Sequence, residues 1–536
     1  MFGYPSLGIP PLNLIWDLVI IFGLATFCFL SPSTQVRQLV KKDYLLLIPI
    51  VACVLHFLIY QSYIFSSDSL FKALISSAFF ACVVIARKSR NIDWATMLIG
   101  LIVFLQLSGG PIAPSLGSFL DEEARTLFHF GGIGQRNVYA TILATTVLLL
   151  AYLDRHPRQR VSIITLACLT LGAFTVCFTS SRAGFIGLVV GLVFLCFANL
   201  IHGRARSLST NLVAITAGIG AYLLISFSPF TPDGGAPILE KIGSIGTDSS
   251  TSFRLVAISL VPEIFANSPL LGFGPNSSHL AIQSGFIEHD VSGPVFTYSH
   301  PHNLIADTII ESGAIGFVLF CLPYFAWFLV ASNIPAFLIR LSVSFPLILH
   351  TQTELPLEQS GLFIFMLALT VVLTDGSPIP EPKRPRKVGR VSIIGGALCL
   401  VCLVAVLELG YTRHTLQTKF QESASTRGQE RITKLQNEYL SRHWYYGDFH
   451  RNRELLTMID QKLISRQPRS ACIHSNEMSR FTLAMPSAIN YQVTNMLSGP
   501  CGDPLAKQLT RTYARLKALG GNTTEHSSTY SDESTR

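Results

Sequence analysis

The sequence predicts an all-α polytopic membrane protein of about twelve transmembrane helices, with a large extracytoplasmic loop and a small helical C-terminal domain. Three observations predict it. Of 536 residues, 49% are hydrophobic and only 13% charged, against roughly 25% charged in an average soluble domain. Continuous apolar runs recur at the length of about 17–25 residues that a helix needs to cross a bilayer. Lysine and arginine alternate between rich and poor loops along the chain, as when successive loops lie on opposite sides of a membrane. Runs that are continuous rather than alternating argue against a β-barrel.

The first run, 12–31, lacks a basic front and a small-residue cleavage site, so it reads as a retained span. The next runs are 44–64, 70–86, 92–108, 137–153, 161–179, 184–201 and 211–228. After the long stretch 229–302 they resume at 303–330, 335–350, 359–374 and 391–411. One set of loops holds Arg37, Lys41 and Lys42, then Arg87, Lys88 and Arg90, then Arg155, Arg158 and Arg160. It continues with Arg204 and Arg206, and with Lys383, Arg384, Arg386, Lys387 and Arg390. The uncharged loop near 331–334 joins this set by parity. The intervening loops hold few cations: Arg125, Arg136, Arg182, Lys241 and Arg254. The positive-inside bias assigns the first set to the cytoplasm. Loop 229–302, the C-terminal tail and both termini then face the other side.

Residues 1–412 therefore read as one membrane domain, with 375–390 a Pro-rich, basic cytoplasmic linker. From 413 to 521, patterns such as Glu430-Arg431-Ile432-Thr433-Lys434-Leu435 predict a helical accessory domain, and the Ser/Thr-rich end 522–536 is expected to be disordered. Cys472 and Cys501 lie in this polar tail and would pair in an oxidising compartment. The other cysteines lie in apolar runs, where they act as small apolar side chains.

The net charge of +8 is topological and does not indicate a nucleic-acid partner. The partners implied by composition are membrane lipids. No signature of a nucleotide-sugar, haem, flavin or zinc site is present, so no cofactor or metal is expected. No internal repeat is evident, which weighs against a transporter of lipid-linked sugar. An enzyme facing away from the cytoplasm has no nucleotide-activated donors and needs a substrate that arrives already activated.

The candidate chemistry gathers on the outer side. Tyr298-Ser299-His300-Pro301-His302-Asn303 opens the span at 303–330. Imidazole is suited to moving protons near neutral pH, and a polar cluster at a lipid boundary is costly unless used or paired. His300 and His302 flank a proline, so they do not read as a shared metal site. Asp307 and Glu311 follow at i,i+4 and read equally as a structural network or as orienters of the imidazole. Arg182 lies between two spans, and Arg254 opens an amphipathic segment ending in Pro269-Leu270-Leu271-Gly272-Phe273-Gly274. A guanidinium at the bilayer surface suits phosphate; headgroup binding or snorkelling is the plainer alternative. Gln135 and Asn137 open another span after Gly131-Gly132-Ile133-Gly134, and Glu354 sits between two spans as a sugar ligand or a helix-start residue.

Together these elements resemble the O-antigen ligase and polymerase superfamily, which includes protein O-oligosaccharyltransferases. The family's His-Asn, nine residues, Gly-x-x-Gly pattern is met by His302-Asn303 and Gly313-Ala314-Ile315-Gly316. Ser181-Arg182-Ala183-Gly184 meets its Ser-Arg-x-Gly turn, and Arg254 with Pro269–Gly274 meets the large-loop element. Gln135-Arg136-Asn137 meets its Gln-x-Asn element. His350-x-x-x-Glu354-x-Pro356 and the polar tail resemble the protein-glycosylating branch, although Leu355 stands where that branch often has Tyr.

The resemblance implies a bacterial inner-membrane protein whose active site faces the periplasm. It implies a donor glycan on undecaprenyl diphosphate. The implied acceptor is a Ser or Thr of a periplasmic protein such as a pilin, a lipid A core sugar, or a growing glycan. His302 is then the implied general base, and Arg182 and Arg254 the stabilisers of the leaving diphosphate. Gln135, Asn137, His300, Asn303 and Glu354 are the implied substrate-binding residues.

Overall fold

Hydropathy decides where the helices lie. The computed structural model describes residues 47–61, 67–88, 93–109, 136–153, 163–201, 205–227, 237–245, 249–291, 301–324, 333–353, 361–375, 455, 472–484 and 488–520. Every regular element among them is helical. The apolar runs give α1 (Ile48–Ile59), α2 (Ser67–Lys88), α3 (Trp94–Gly109), α4 (Arg136–Leu153), α5 (Ile163–Phe178), α6 (Arg182–Ile201) and α7 (Ala205–Ser226). Loop 229–302 folds into α8 (Pro237–Gly243), α9 (Ser249–Asn267) and α10 (Ser278–Glu288). Then come α11 (Leu304–Gly316, continuing through a π-helical turn Phe317–Cys321), α12 (Ile334–Thr351) and α13 (Gly361–Asp375). The tail supplies α14 (Ser475–Ala484), α15 (Ala488–Cys501) and α16 (Pro504–Gly520).

Arg136–Leu153, Arg182–Ile201, Leu304–Tyr324 and Ile334–Thr351 are each long and apolar enough to cross a membrane, and shorter apolar helices accompany them. The chain is thus an all-α membrane protein. The runs expected at 12–31 and 391–411, most of the 375–390 linker and the segment 413–454 lie outside the described residues.

α4 is the hub: Val138 through Ala151 are all buried. α6 crosses it and α12 closely because glycine leaves room for backbone. Gly184 faces Ala140, and a Cβ on Gly187 would lie 2.8 Å from Pro346 Cα. At Gly191 the crossing with α12 is sealed by Ser342 Oγ, which donates to the Gly191 carbonyl at 2.7 Å. This packing fixes the ends of α4, α6 and α12, where the candidate residues sit.

A second core joins the large loop to the tail. Ala257, Leu260 and Ile264 of α9 pack with Ile282 and Phe286 of α10, Ala306 and Ile310 of α11, and Tyr491, Leu509 and Leu516 of the tail. Tyr491 also donates to Gln283 Oε1 at 3.1 Å, and Arg515 to the Ile287 carbonyl at 3.2 Å. Within the tail, Cys472 and Cys501 form a disulfide with Cα atoms 5.1 Å apart.

α11 is broken at Gly313, whose φ of 62° and ψ of −163° are non-helical. A continuous helix would bond Ala314 N–H to the Ile310 carbonyl and Ile315 N–H to the Glu311 carbonyl. Here the loop 268–274 takes both ends of those bonds. Phe273 and Gly274 N–H donate to the Ile310 and Glu311 carbonyls at 2.9 Å each. Ala314 and Ile315 N–H donate to the Pro269 and Leu270 carbonyls at 2.9 and 3.2 Å. Gly272, with φ of 71°, makes the same close approach from the loop side. The Pro-Leu-x-Gly-x-Gly and Gly-x-x-Gly elements are therefore the two halves of one backbone splice.

Candidate functional site

Arg182 is the first residue of α6, so its side chain leaves the membrane end of a helix held rigidly against α4 and α12. Its Nη1 donates to Thr251 Oγ1 of α9 at 3.1 Å. Thr251 and Arg254 are three residues apart on α9 and share a face. The first guanidinium therefore reaches the surface from which the second emerges. Arg254 Nη1 donates to the Thr353 carbonyl at 3.3 Å, just beyond α12. The neighbouring Gln352 accepts from Asn303 Nδ2 through its carbonyl at 3.3 Å and its Oε1 at 3.1 Å. Asn303 caps α11, its Oδ1 accepting from Ala306 N–H at 3.0 Å.

His302 precedes that cap with φ of 47°, a left-handed conformation uncommon outside glycine. Such a conformation persists where surrounding contacts impose it, and here the doubly held Asn303 and buried Pro301 flank it. Arg182, Arg254, Asn303 and the backbone of His302 thus belong to one run of contacts across α6, α9, α11 and the end of α12.

His279, in the first turn of α10, belongs to the same neighbourhood. Burial, reinforced by the nearby His302 imidazole, pushes its pKa down to about 4. It is therefore neutral at physiological pH. His350 lies fully buried at the end of α12, with Nδ1 2.9 Å from Thr141 Oγ1. Thr141 is one turn along α4 from Asn137, which is half-buried at the helix start. Gln135, His300 and Glu354 lie outside the described residues.

The carboxylates of α11 point elsewhere. Lys72 of α2 pairs with Glu311 Oε2 at 2.9 Å and approaches Asp307 Oδ2 at 3.9 Å. His56 of α1 joins this network, with Nδ1 2.7 Å from Ser69 Oγ and Nε2 3.2 Å from Ser312 Oγ. Buried charge is tolerable when paired and hydrogen-bonded in this way. The network binds α1 and α2 to α11 beside its break.

Gln352, Thr251 and His279 were not among the residues singled out by sequence. Gln352 lies inside a flagged segment, between His350 and Glu354, and Thr251 lies one turn before Arg254. His279 carries no sequence signal beyond its place just after the glycine-rich loop. Metal-ligating clusters of His, Cys, Asp and Glu are absent among the described residues.

Two guanidiniums and an imidazole on one side of a helical membrane core can hold an anionic group beside a proton acceptor. Comparison with curated proteins returns no match. Residues 166–321 match the family model described as O-antigen ligase. The matched segment contains Arg182, Arg254, His279, His302 and both halves of the backbone splice. Over that segment the chain is similar to the O-antigen ligase family, which supports the O-antigen ligase/polymerase resemblance.

Proposed function

We propose that the protein transfers a glycan from undecaprenyl diphosphate to Ser or Thr hydroxyls of periplasmic proteins such as pilins, from a site on the periplasmic face of the inner membrane. The observation that carries this reading is the run of contacts linking Arg182, Arg254 and the His302–Asn303 corner. The acceptor oxygen forms its new bond at the anomeric carbon as the bond to the diphosphate oxygen breaks. The leaving diphosphate takes the electron pair, and Arg182 and Arg254 stabilise that charge. His302 takes the hydroxyl proton. His279, uncharged and nearby, adds no charge of its own beside the imidazolium formed on His302. Gln135, Asn137, His300, Asn303 and Glu354 hold the glycan or acceptor. The two guanidiniums supply the positive charge this step needs, so no metal is assigned a role.

The protein acceptor rests on the likeness of His350-x-x-x-Glu354-x-Pro356 and the polar tail to the protein-glycosylating branch. A second reading is O-antigen ligation, in line with the matched family's description as O-antigen ligase, with a lipid A core sugar as the proposed acceptor. Purified protein, lipid-linked glycan and either a pilin or lipid A core separate the two. Deletion in the native host tests the assignment independently: glycan on protein, O-antigen on lipopolysaccharide, or long polymer disappears. Persistence of all three overturns glycan transfer as the function.

A further inference from the structure

The splice between loop 268–274 and α11 lies beside an open apolar face. Leu270 is 63% exposed, Leu271 46% and Phe273 38%. Their loop has already committed its backbone to α11, through Pro269 and Leu270 carbonyls and Phe273 and Gly274 N–H groups. Irregular backbone enters a non-aqueous layer only when its polar groups are satisfied in this way.

The splice lies within the candidate span Leu304–Tyr324, which continues past it as the π-helical turn and the residues up to Tyr324. Ile315, Val318 and Leu322 form a stripe down it at helical spacing and are 44%, 49% and 44% exposed. Leu271 meets the top of this stripe. With Leu55 and Ile59 of α1 and with Ile315, it walls a recess of about 130 Å³. Leu55 and Ile59 are themselves 50% and 57% exposed. Tyr60 Oη donates to the Leu271 carbonyl at 3.1 Å, so the loop is pinned to the end of α1 at this height. Exposed apolar side chains on spans face acyl chains, and those of the loop prolong the same surface.

We propose that Leu270, Leu271 and Phe273 form a membrane anchor: the tip of the large loop inserts into the leaflet on the catalytic side and packs against its acyl chains. The occupant is lipid because the tip is continuous with the lipid-facing stripe of α11 and α1. α9, which carries Arg254, ends at Asn267, immediately before the anchor. Insertion therefore sets the height of that guanidinium above the bilayer, where a lipid-linked diphosphate is presented. The inference rests on α11 being a span and is independent of the acceptor.

The test uses the full chain with p-benzoylphenylalanine in place of Leu271 or Phe273. The protein is reconstituted in phosphatidylethanolamine–phosphatidylglycerol vesicles, irradiated and examined by mass spectrometry. The same substitution at Ile315 is the lipid-facing control, and at Ser284, on the exposed side of α10, the aqueous one. Lipid adducts at 271 and 273 are expected at a yield comparable with Ile315 and at least about tenfold above Ser284. Adducts only to protein, of this chain or a second copy, overturn the anchor, as does labelling at Ile315 alone. Failure at Ile315 as well overturns the span and the anchor together. Glycan transfer assayed on wild-type protein from the same vesicles reports on the proposed reaction separately from either result.

Discussion

Asn303 and Gln352 are bound to each other twice, through the Gln352 carbonyl at 3.3 Å and its Oε1 at 3.1 Å. The pair ties the cap of α11 to the end of α12 and so fixes the backbone from which His302 projects. Gln352→Ala removes one of these bonds and leaves the other. Misplacing a catalytic group by a fraction of an ångström is enough to slow a reaction. The variant is expected to lose roughly tenfold in kcat with little change in folding stability, about 0.5 kcal/mol or less. Gln352→Glu keeps an acceptor at the same place and is expected to retain most of the rate. Transfer kinetics with thermal unfolding in detergent separate the two effects.

Arg182 and Arg254 each spend one Nη on the scaffold, at Thr251 and Thr353. The planar fork of each is the part proposed to meet diphosphate. Lysine keeps the charge and loses the fork. Arg182→Lys and Arg254→Lys are therefore expected to lower kcat by roughly 10²-fold while the protein remains folded. Thr251→Val removes a scaffold contact of Arg182 while keeping the guanidinium, and is expected to cost less than Arg182→Lys. Single-turnover transfer from lipid-linked donor is the measurement.

The spans were legible because hydropathy is local: runs at 44–64, 70–86 and 92–108 became α1, α2 and α3 within a few residues. The candidate arginines were legible because cations on the lysine-poor side stand out. Pairings were not. Lys72 reaches Glu311 across 239 residues of sequence, and no periodicity announces such a contact. The glycines of the two motifs were visible as motifs, yet their partnership depends on a fold that brings Leu270 beside Gly313. His279 was missed because a histidine on an amphipathic helix looks like any other until burial and His302 are seen around it.

Gly272 and Gly313 face each other across the splice. A Cβ on Gly272 would fall 2.5 Å from the Glu311 carbonyl oxygen, and one on Gly313 would fall 2.7 Å from Leu271 N. Both also have positive φ, which disfavours any side chain. Gly272→Ala and Gly313→Ala are each expected to destabilise by about 2–4 kcal/mol and to reduce folded yield. Gly220, with nothing within 4 Å of its would-be Cβ, is the contrast. Gly220→Ala is expected to be neutral or slightly stabilising. Thermal unfolding in detergent compares the three.

The tail's disulfide closes a loop of 29 residues between Cys472 and Cys501. Constraint of the unfolded chain over that length is worth about 3.6 kcal/mol in the chain-entropy model. Cys472→Ser with Cys501→Ser is therefore expected to loosen α14 and α15. Tyr491 of α15 donates to Gln283 of α10, so the loosening is expected to reach the large loop. Hydrogen exchange of α10 should rise in the double variant, and rise less in Tyr491→Phe, which loses one bond and keeps the ring packing. Unchanged exchange in the double variant would show the tail to be mechanically separate.

Acid should act on α10 through His279. Its folded pKa, about 4, lies below the ordinary value of 6.5 because burial, and then His302, disfavour the charged form. Between those values the unfolded chain binds a proton that the folded one does not. Stability from this group is therefore present above pH 6.5 and is lost as pH falls toward 4. The loss amounts to roughly 1–3 kcal/mol for a shift of this size. His279→Gln keeps polar character, cannot titrate, and is expected to flatten that part of the profile. Exchange or unfolding measured from neutral pH down to pH 4 in both proteins checks this. A stability profile that keeps its acid loss in His279→Gln would show that His279 is not the titrating group.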